Sequence, residues 1–432
     1  MLVYIHVPFC RSKCSYCAFP SAAIGRDPDK IAPLLKEYLD VLSLEIEQSS
    51  LTLGKRSVTS VFFGGGTPSL LPPALVGRVM DKLAGAFSLA EKLEVTLEAN
   101  PESLRGNAAA KYLEAGANRL SLGVQSLDDA MLRVLGRPHK AIDGINAVYA
   151  ARAAGFKNLN VDLMWGLPGQ GVRRWLQTLK DVIELAPDHV SSYNLTLEPG
   201  TPLEIEHENG ALVLPPERDQ NIMFMEGAAL LESAGYLQYE ISNFARMGFQ
   251  CAHNIGYWEG EEYLGLGPSS TSTIGPKRWT NPASLASWKE QVQKGVDGRA
   301  VEILTPKIRI LEHIMLRLRT ARGLRLKAYK DLTGGDFLKD HEKLVQTLHE
   351  NGLLRARNGY LSLTRSGMMV SNAVLTNIFE RLEADPALNP DKFPRKPSAC
   401  AALAASSSPR VRPVKWPEAE VQPKVRRLIE PE

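Results

Sequence analysis

Three cysteines, Cys10, Cys14 and Cys17, lie within eight residues, directly after the apolar run Leu2–Val7. Thiolates bind soft and borderline metals. Three on one short loop can hold three irons of a [4Fe–4S] cluster, whose full complement is four cysteines, and so leave one iron open to another ligand. A zinc ion completed by a histidine such as His6 is the alternative, but structural zinc sites usually draw on two separated ligand pairs. Arg11, Ser12 and Lys13 make the loop polar, which argues against inert core thiols.

A second motif, Gly64-Gly65-Gly66-Thr67-Pro68-Ser69, follows the next apolar run. Adjacent glycines let a ligand approach the backbone and reach its N–H and C=O groups. It is not a nucleotide phosphate loop, because the G-x-x-x-x-G-K-[ST] pattern is missing. Polar residues then recur at the ends of further runs. Glu98 precedes Asn100-Pro101, Gln125 and Ser126 follow the next run, Asp162 lies ahead of Gly166-Leu167-Pro168-Gly169, and Asn194 and Thr196 close the last. Singly, each reads as a helix cap. Together, in a parallel barrel, they gather at the carboxyl ends of the strands, where active sites sit.

The elements that must position these residues alternate. Strands are expected at Leu2–Val7, 58–63, 93–98, 119–123, 158–164 and 189–195, with helices near 32–49, 73–86, 105–115, 126–135, 140–154 and 172–185. Such alternation implies a parallel sheet with right-handed crossovers. Six units make a partial (β/α)6 barrel, expected over residues 1–200, or an open doubly wound sheet. Tyr4, His6, Thr96, Glu98, Ser121 and Asp162 interrupt the strands as polar groups suited to a barrel interior. Residues 201–305 read as an extension with a helix at 217–234, a strand at 236–244 and a glycine-rich aromatic stretch from Cys251 to Trp279. A smaller α+β domain is expected at 306–383. Its features are a helical stripe of Ile308, Leu311, Ile314, Met315 and Leu318, a hairpin turning at Asn358-Gly359, and a winged-helix-like order of elements. Residues 384–432 hold nine of the 28 prolines and an Ala/Ser run, the composition of a disordered tail.

The chain has 432 residues, 44% hydrophobic and 23% charged, with net charge +3. It is long enough to bury a large core without staples. Five cysteines are too few for a disulfide framework. No apolar run is long enough for a transmembrane helix, and the N-terminus shows no basic leader or cleavage site. Working thiols require a reducing compartment, so a cytoplasmic location is expected.

The segments Tyr4-Ile5-His6-Val7-Pro8-Phe9-Cys10, Cys-x3-Cys-x2-Cys, Gly-Gly-Gly-Thr-Pro and Gly123-Val124-Gln125-Ser126 resemble radical S-adenosylmethionine enzymes, most of all the oxygen-independent coproporphyrinogen III oxidase family. The resemblance spans roughly residues 1–380. It implies that Cys10, Cys14 and Cys17 bind a [4Fe–4S] cluster whose open iron is chelated by the methionine amino and carboxylate groups. It places S-adenosylmethionine on Tyr4, Gly65, Gly66, Thr67 and Glu98. Tyr16, Gln125, Arg137 and Asp162 match further contacts to this cofactor or to a second copy. An electron from the cluster would cleave the sulfonium to methionine and a deoxyadenosyl radical, and an electron donor is implied.

Two departures matter. Where the porphyrinogen oxidases carry a further cysteine, two positions after the third, this chain has Phe19, and their longer N-terminal arm is missing. Both features look like the sister group, the haem chaperones of the HemW type. That group carries H-N-x-x-Y-W, present here as His253-Asn254-Ile255-Gly256-Tyr257-Trp258. His253 can ligate haem iron, and Tyr257 and Trp258 offer flat faces to a porphyrin. A packed, hydrogen-bonded histidine is the bland reading, and Cys251 and His207 are alternative ligands. The expected function is therefore haem delivery to respiratory haem proteins. Anaerobic coproporphyrinogen oxidation is the alternative, disfavoured by the two departures.

Between Lys307 and Lys330 stand eight basic residues against one acid, Glu312. On a winged helix this could be a nucleic-acid surface. The favoured reading is a solvated or interdomain face, compatible with haem propionates, an acidic partner, a homodimer or peripheral contact with an anionic membrane.

Overall fold

The computed structural model describes residues 1–295 and 299–384; the expected tail, with Cys400, lies outside the described residues. Six parallel strands carry the fold: β1 (Leu2–Val7), β2 (Ser57–Gly65), β3 (Ser88–Ala99), β4 (Arg119–Gln125), β5 (Leu159–Trp165) and β6 (His189–Asn194). They are ordered sequentially and paired in parallel throughout. Helices α1 (Pro28–Leu53), α2 (Pro73–Ala86), α3 (Ala108–Glu114), α4 (Asp129–Val134), α5 (Ala141–Ala153) and α6 (Val172–Glu184) lie between them in the chain. This is the α/β barrel-type arrangement expected from the alternation.

Strand side chains alternate between the two faces of the sheet, and the alternation here separates two chemistries. Val3, Ile5, Val7, Val61, Phe63, Val95, Leu97, Leu120, Leu122, Val161 and Leu163 belong to one large apolar core. Each such side chain contributes about 1.5–3 kcal/mol on burial. The intervening positions, including Tyr4, Glu98, Arg119, Ser121, Asn160, Asp162, His189 and Ser191, turn to the opposite face and line a cavity. On the outer layer, α6 buries Trp175, Thr178, Leu179 and Val182, an i, i+3, i+4, i+7 stripe.

Beyond residue 200 come α7 (Pro202–Glu208), α8 (Glu217–Ser233), β7 (Leu237–Gln238), β8 (Asn243–Ala245), α9 (Ala252–Glu259), β9 (Tyr263–Leu266), β10 (Thr271–Ile274), β11 (Lys277–Thr280), α10 (Leu285–Lys294) and β12 (Val301–Ile303). The expected strand at 236–244 is two short antiparallel strands on the far edge of the sheet. The glycine-rich stretch is more ordered than its composition suggested. It supplies α9 and then β9, which pairs in parallel with β1 and is followed by β10, β11 and β12 in antiparallel order. Close packing explains the glycines: a Cβ on Gly265 would lie 2.3 Å from the Thr271 carbonyl, and one on Gly256 would lie 2.6 Å from Leu2.

The C-terminal part has its own core, built on Ile310, Ile314 and Leu318 of α11 (Pro306–Leu318) with Leu361, Leu363, Leu375 and Ile378. Its three-stranded antiparallel sheet contains the hairpin 354–363. Asn358 and Gly359 both have positive φ, as the tight hairpin turn demands. Four of the eight basic residues of this stretch have partners: Arg317 and Arg322 reach Glu259 of α9, Arg319 donates to Asn372, and Lys327 pairs with Asp331. Among the described residues no helix is long and apolar enough to cross a membrane.

Candidate functional site

At the carboxyl end of the barrel, a cavity of about 470 Å³ brings together residues from every part of the barrel and from α9. Cys10, Cys14 and Cys17 line it, with Tyr4, Tyr16, Gly65, Gly66, Thr67, Glu98, Gln125, Arg137, Asp162, His253, Asn254 and Tyr257. Among the residues singled out from the sequence, Ser126, Asn194, Thr196, His207 and Trp258 do not line this cavity; the Trp258 indole nitrogen is buried without a partner.

The cysteine loop is held from two sides. Ser15 donates from its backbone to Leu135 and from its hydroxyl to Val134. Arg137 donates through Nη1 to Cys14 Sγ at 3.4 Å and through Nη2 to Asn100 Oδ1 at 2.6 Å and the Gly123 carbonyl at 2.8 Å. Arg137 thus braces the cysteine loop against two strand ends. Thr67 Oγ1 lies 3.5 Å from Cys10 Sγ and accepts from Asn100 Nδ2. All three cysteines are free thiols at half-buried positions. Among the described residues, no three His, Cys, Asp or Glu side chains are placed around a single metal ion. A cube-shaped cluster takes its thiolates at separate corners, so the loop suits that group better than a mononuclear ion. His6 is fully engaged, with Nε2 on the Pro20 carbonyl at 2.8 Å and Nδ1 on Tyr4 Oη at 3.2 Å, and is not free to complete a zinc site.

The glycines have a packing role that the sequence did not disclose. A Cβ on Gly64 would meet the Tyr4 ring at 2.9 Å, one on Gly65 the His6 ring at 2.7 Å, and one on Gly66 the Phe9 carbonyl at 2.5 Å. The run lets β2 and the cysteine loop close on each other, and Gly65, with φ of 111°, turns its N–H to Glu98.

Deeper in the barrel the polar groups interlock. Asp162 accepts from Ser121 Oγ at 3.1 Å and Asn160 Nδ2 at 2.8 Å. His189 joins Asn160 Oδ1 at 2.6 Å and Tyr239 Oη at 2.9 Å, and Asn254 Nδ2 donates to the same Tyr239 oxygen. Burial, then the nearby Asp162, pushes the Glu98 carboxyl up to about 8. Burial likewise raises Asp162, against the hydrogen bonds it accepts. Gln125 ends β4 with a φ of 65°, uncommon for a non-glycine residue and often found at functional sites.

His253 is 2% exposed and rings itself with aromatics: Phe62 at 5.1 Å, Tyr257 edge-on at 4.8 Å and Tyr4 at 6.4 Å between centroids. Its Nδ1 lies 2.8 Å from Ser60 Oγ, whereas Nε2 is buried with no partner. Burial pushes its pKa down to about 3, so the ring is neutral and able to ligate a metal. The alternative ligands fare differently. Burial raises the Cys251 thiol to about 12, and it lies 3.4 Å from Glu94 Oε1. His207 is exposed on α7, bonded to the Leu212 carbonyl and away from the cavity.

Arg119, Glu94, Asn100, Asn160, His189 and Tyr239 were not singled out from the sequence. Asn160 had a readable signal: Asn158-Leu-Asn160-Val-Asp162 alternates polar and apolar at strand period.

Comparison with known proteins places the fold in a known family. Residues 4–182 match the Radical SAM superfamily and residues 304–370 the HemN C-terminal domain. The mitochondrial radical S-adenosyl methionine domain-containing protein 1 of Bos taurus is 37% identical, over 91% of this chain and 90% of the relative. The heme chaperone HemW of Bacillus subtilis is 33% identical over 86% and 97%, and that of Haemophilus influenzae 38% over 86% and 96%. Among solved structures, the coproporphyrinogen III oxidase HemN of Escherichia coli superposes with a TM-score of 0.73 at 26% identity, covering 87% of this chain and 89% of that one.

Proposed function

That the chain belongs to the oxygen-independent coproporphyrinogen III oxidase family of radical S-adenosylmethionine proteins is the premise from which we propose a haem chaperone. In this reading it binds a [4Fe–4S] cluster, S-adenosylmethionine and haem, and delivers the haem to respiratory haem proteins. Cys10, Cys14 and Cys17 would hold the cluster, which when bound supplies an electron. Tyr4, Gly65, Gly66, Thr67, Glu98, Gln125 and Asp162 would cradle S-adenosylmethionine. Tyr16, which lines the wall beside Arg137, would close over it.

The observation that carries the haem reading is the unpartnered Nε2 of His253, buried and beside the cavity. Buried polar atoms nearly always have a partner, and one that lacks it needs an explanation. With Nδ1–H donated to Ser60, Nε2 presents a lone pair. Tyr257 would lie against the porphyrin edge; a role for Trp258 requires α9 to shift. Haem titration of the reconstituted protein and of His253→Ala tests this reading: loss of the ligated haem spectrum supports it, and an unchanged spectrum and affinity remove His253 as ligand.

A second reading, anaerobic coproporphyrinogen oxidation, is favoured by the superposition on HemN. Phe19, 67% exposed at the rim, stands where that activity's further cysteine is expected. Anaerobic turnover assayed with reduced, cluster-loaded protein decides: stoichiometric protoporphyrinogen would establish the oxidase.

A further inference from the structure

Arg119 opens β4 facing the barrel interior, in register with Thr96, and lies two residues, about 7 Å, deeper than Ser121. It is 2% exposed. Its Nε is buried with no hydrogen-bond partner, and among the described residues no salt bridge includes it. A guanidinium stays charged under all ordinary conditions and carries five donors in a planar fork. Burial strips it of hydration, and Glu94 and Asp162 favour its charge from a distance without a direct ion pair, so Nε still has no direct partner.

The acids near it have turned elsewhere. Glu94 caps α9, accepting from the backbone of Ala252 at 3.0 Å and of His253 at 3.1 Å, and from Cys251 Sγ. Asp162 is taken by Ser121 and Asn160. What remains is a fixed, desolvated fork in the wall of the cavity that His253 also lines. Planar forks of this kind match carboxylates.

We propose that Arg119 seats a carboxylate of a ligand that enters the barrel, and that this carboxylate is a propionate of the tetrapyrrole. The inference rests on the haem reading and gives the ligand an anionic anchor beside the iron ligand. The methionine carboxylate of a second S-adenosylmethionine shares the chemistry, and the experiment separates the two.

The test uses the full chain with its cluster reconstituted, titrated anaerobically with ferric haem and with haem dimethyl ester, in wild type, Arg119→Lys and Arg119→Gln. S-adenosylmethionine stoichiometry is measured alongside, and iron and sulfide content monitors folding. The expected result is that Arg119→Gln weakens haem about tenfold or more while leaving the ester unaffected, with Arg119→Lys intermediate. The wild-type comparison of haem with its ester stands even where a variant fails to fold. Equal affinity of wild type for both forms would overturn the proposal while leaving the haem reading intact. A loss confined to S-adenosylmethionine would reassign the seat to that cofactor. No haem binding by wild type would overturn the haem reading and this proposal with it.

Discussion

Ser60 Oγ lies 2.8 Å from His253 Nδ1, joining a strand near the barrel's amino end to a helix almost two hundred residues later. The contact holds one ring nitrogen and leaves Nε2 buried without a partner. Removing the hydroxyl frees the ring and strands a buried nitrogen, which costs about 1–3 kcal/mol. Ser60→Ala should therefore destabilise the protein by that amount in denaturant melts. It should also weaken and broaden haem binding without abolishing it, whereas His253→Ala should remove the ligated spectrum. A Ser60→Ala protein with wild-type stability and haem affinity would show that the contact orients nothing.

Arg137 joins Cys14 to Asn100 and Gly123. Its N–H donated to the Cys14 sulfur holds that side chain in place for a metal centre. Arg137→Gln should keep the fold but release cluster iron to a chelator several times faster than wild type, followed by absorbance. Gly66→Ala should be more severe, because the new Cβ would press on the Phe9 backbone rather than on a flexible side chain. Near-normal iron content in Gly66→Ala would mean that the loop has more freedom than the packing allows.

Motifs whose chemistry is local were readable in advance. Cys10, Cys14 and Cys17, the glycine run and the six strands can each be recognised from a few neighbouring residues, and the Asn358-Gly359 hairpin turns where its sequence requires. Arg119 could not be read in that way. At the start of a strand it looks like an ordinary surface cation, and only closure of the sheet carries it inside. Arg137 was legible as a site residue, but its partners come from two other strand ends. The glycine-rich stretch after Cys251 hid α9 and the strand paired with β1, because short elements stabilised by tertiary packing carry weak periodicity. Gly256 is small because Leu2 lies against it, a contact between α9 and the first strand.

Glu98 gives a pH dependence with a definite sign. Burial and Asp162 raise its carboxyl to about 8 in the cofactor-free fold, well above its value in the unfolded chain. The folded state then holds a proton that the unfolded state has lost. Stability from this group is full below the unfolded value and falls as pH rises towards 8, by up to about 1.4 kcal/mol per pH unit. Glu98→Gln should flatten the decline between pH 5 and 8 in denaturant melts. A cationic ligand amine or polarised hydroxyl would favour the carboxylate, so S-adenosylmethionine binding near pH 7 should release a proton. Calorimetry in two buffers of different ionisation enthalpy should detect that release in wild type and lose it in Glu98→Gln.

The proposed haem ligand and the proposed S-adenosylmethionine contacts open on one cavity, and its size decides how the two ligands relate. About 470 Å³ lies within the range of pockets that enclose a single drug-sized molecule, roughly 300–1,000 Å³. His253, Tyr4 and Glu98 line it together, and the Tyr4 and His253 rings lie 6.4 Å apart. Two large ligands should therefore oppose each other. Coupling between binding free energies is reciprocal: whatever factor S-adenosylmethionine imposes on haem affinity, haem must impose on S-adenosylmethionine. Saturating S-adenosylmethionine should raise the apparent Kd for haem, and a haem titration at several cofactor concentrations gives the factor. The reverse titration must return the same value. Cofactor loading would then favour haem release, the direction a carrier needs when it meets its acceptor. Haem affinity that is unchanged by saturating S-adenosylmethionine would place the two ligands on separate surfaces and move the haem away from Nε2 of His253.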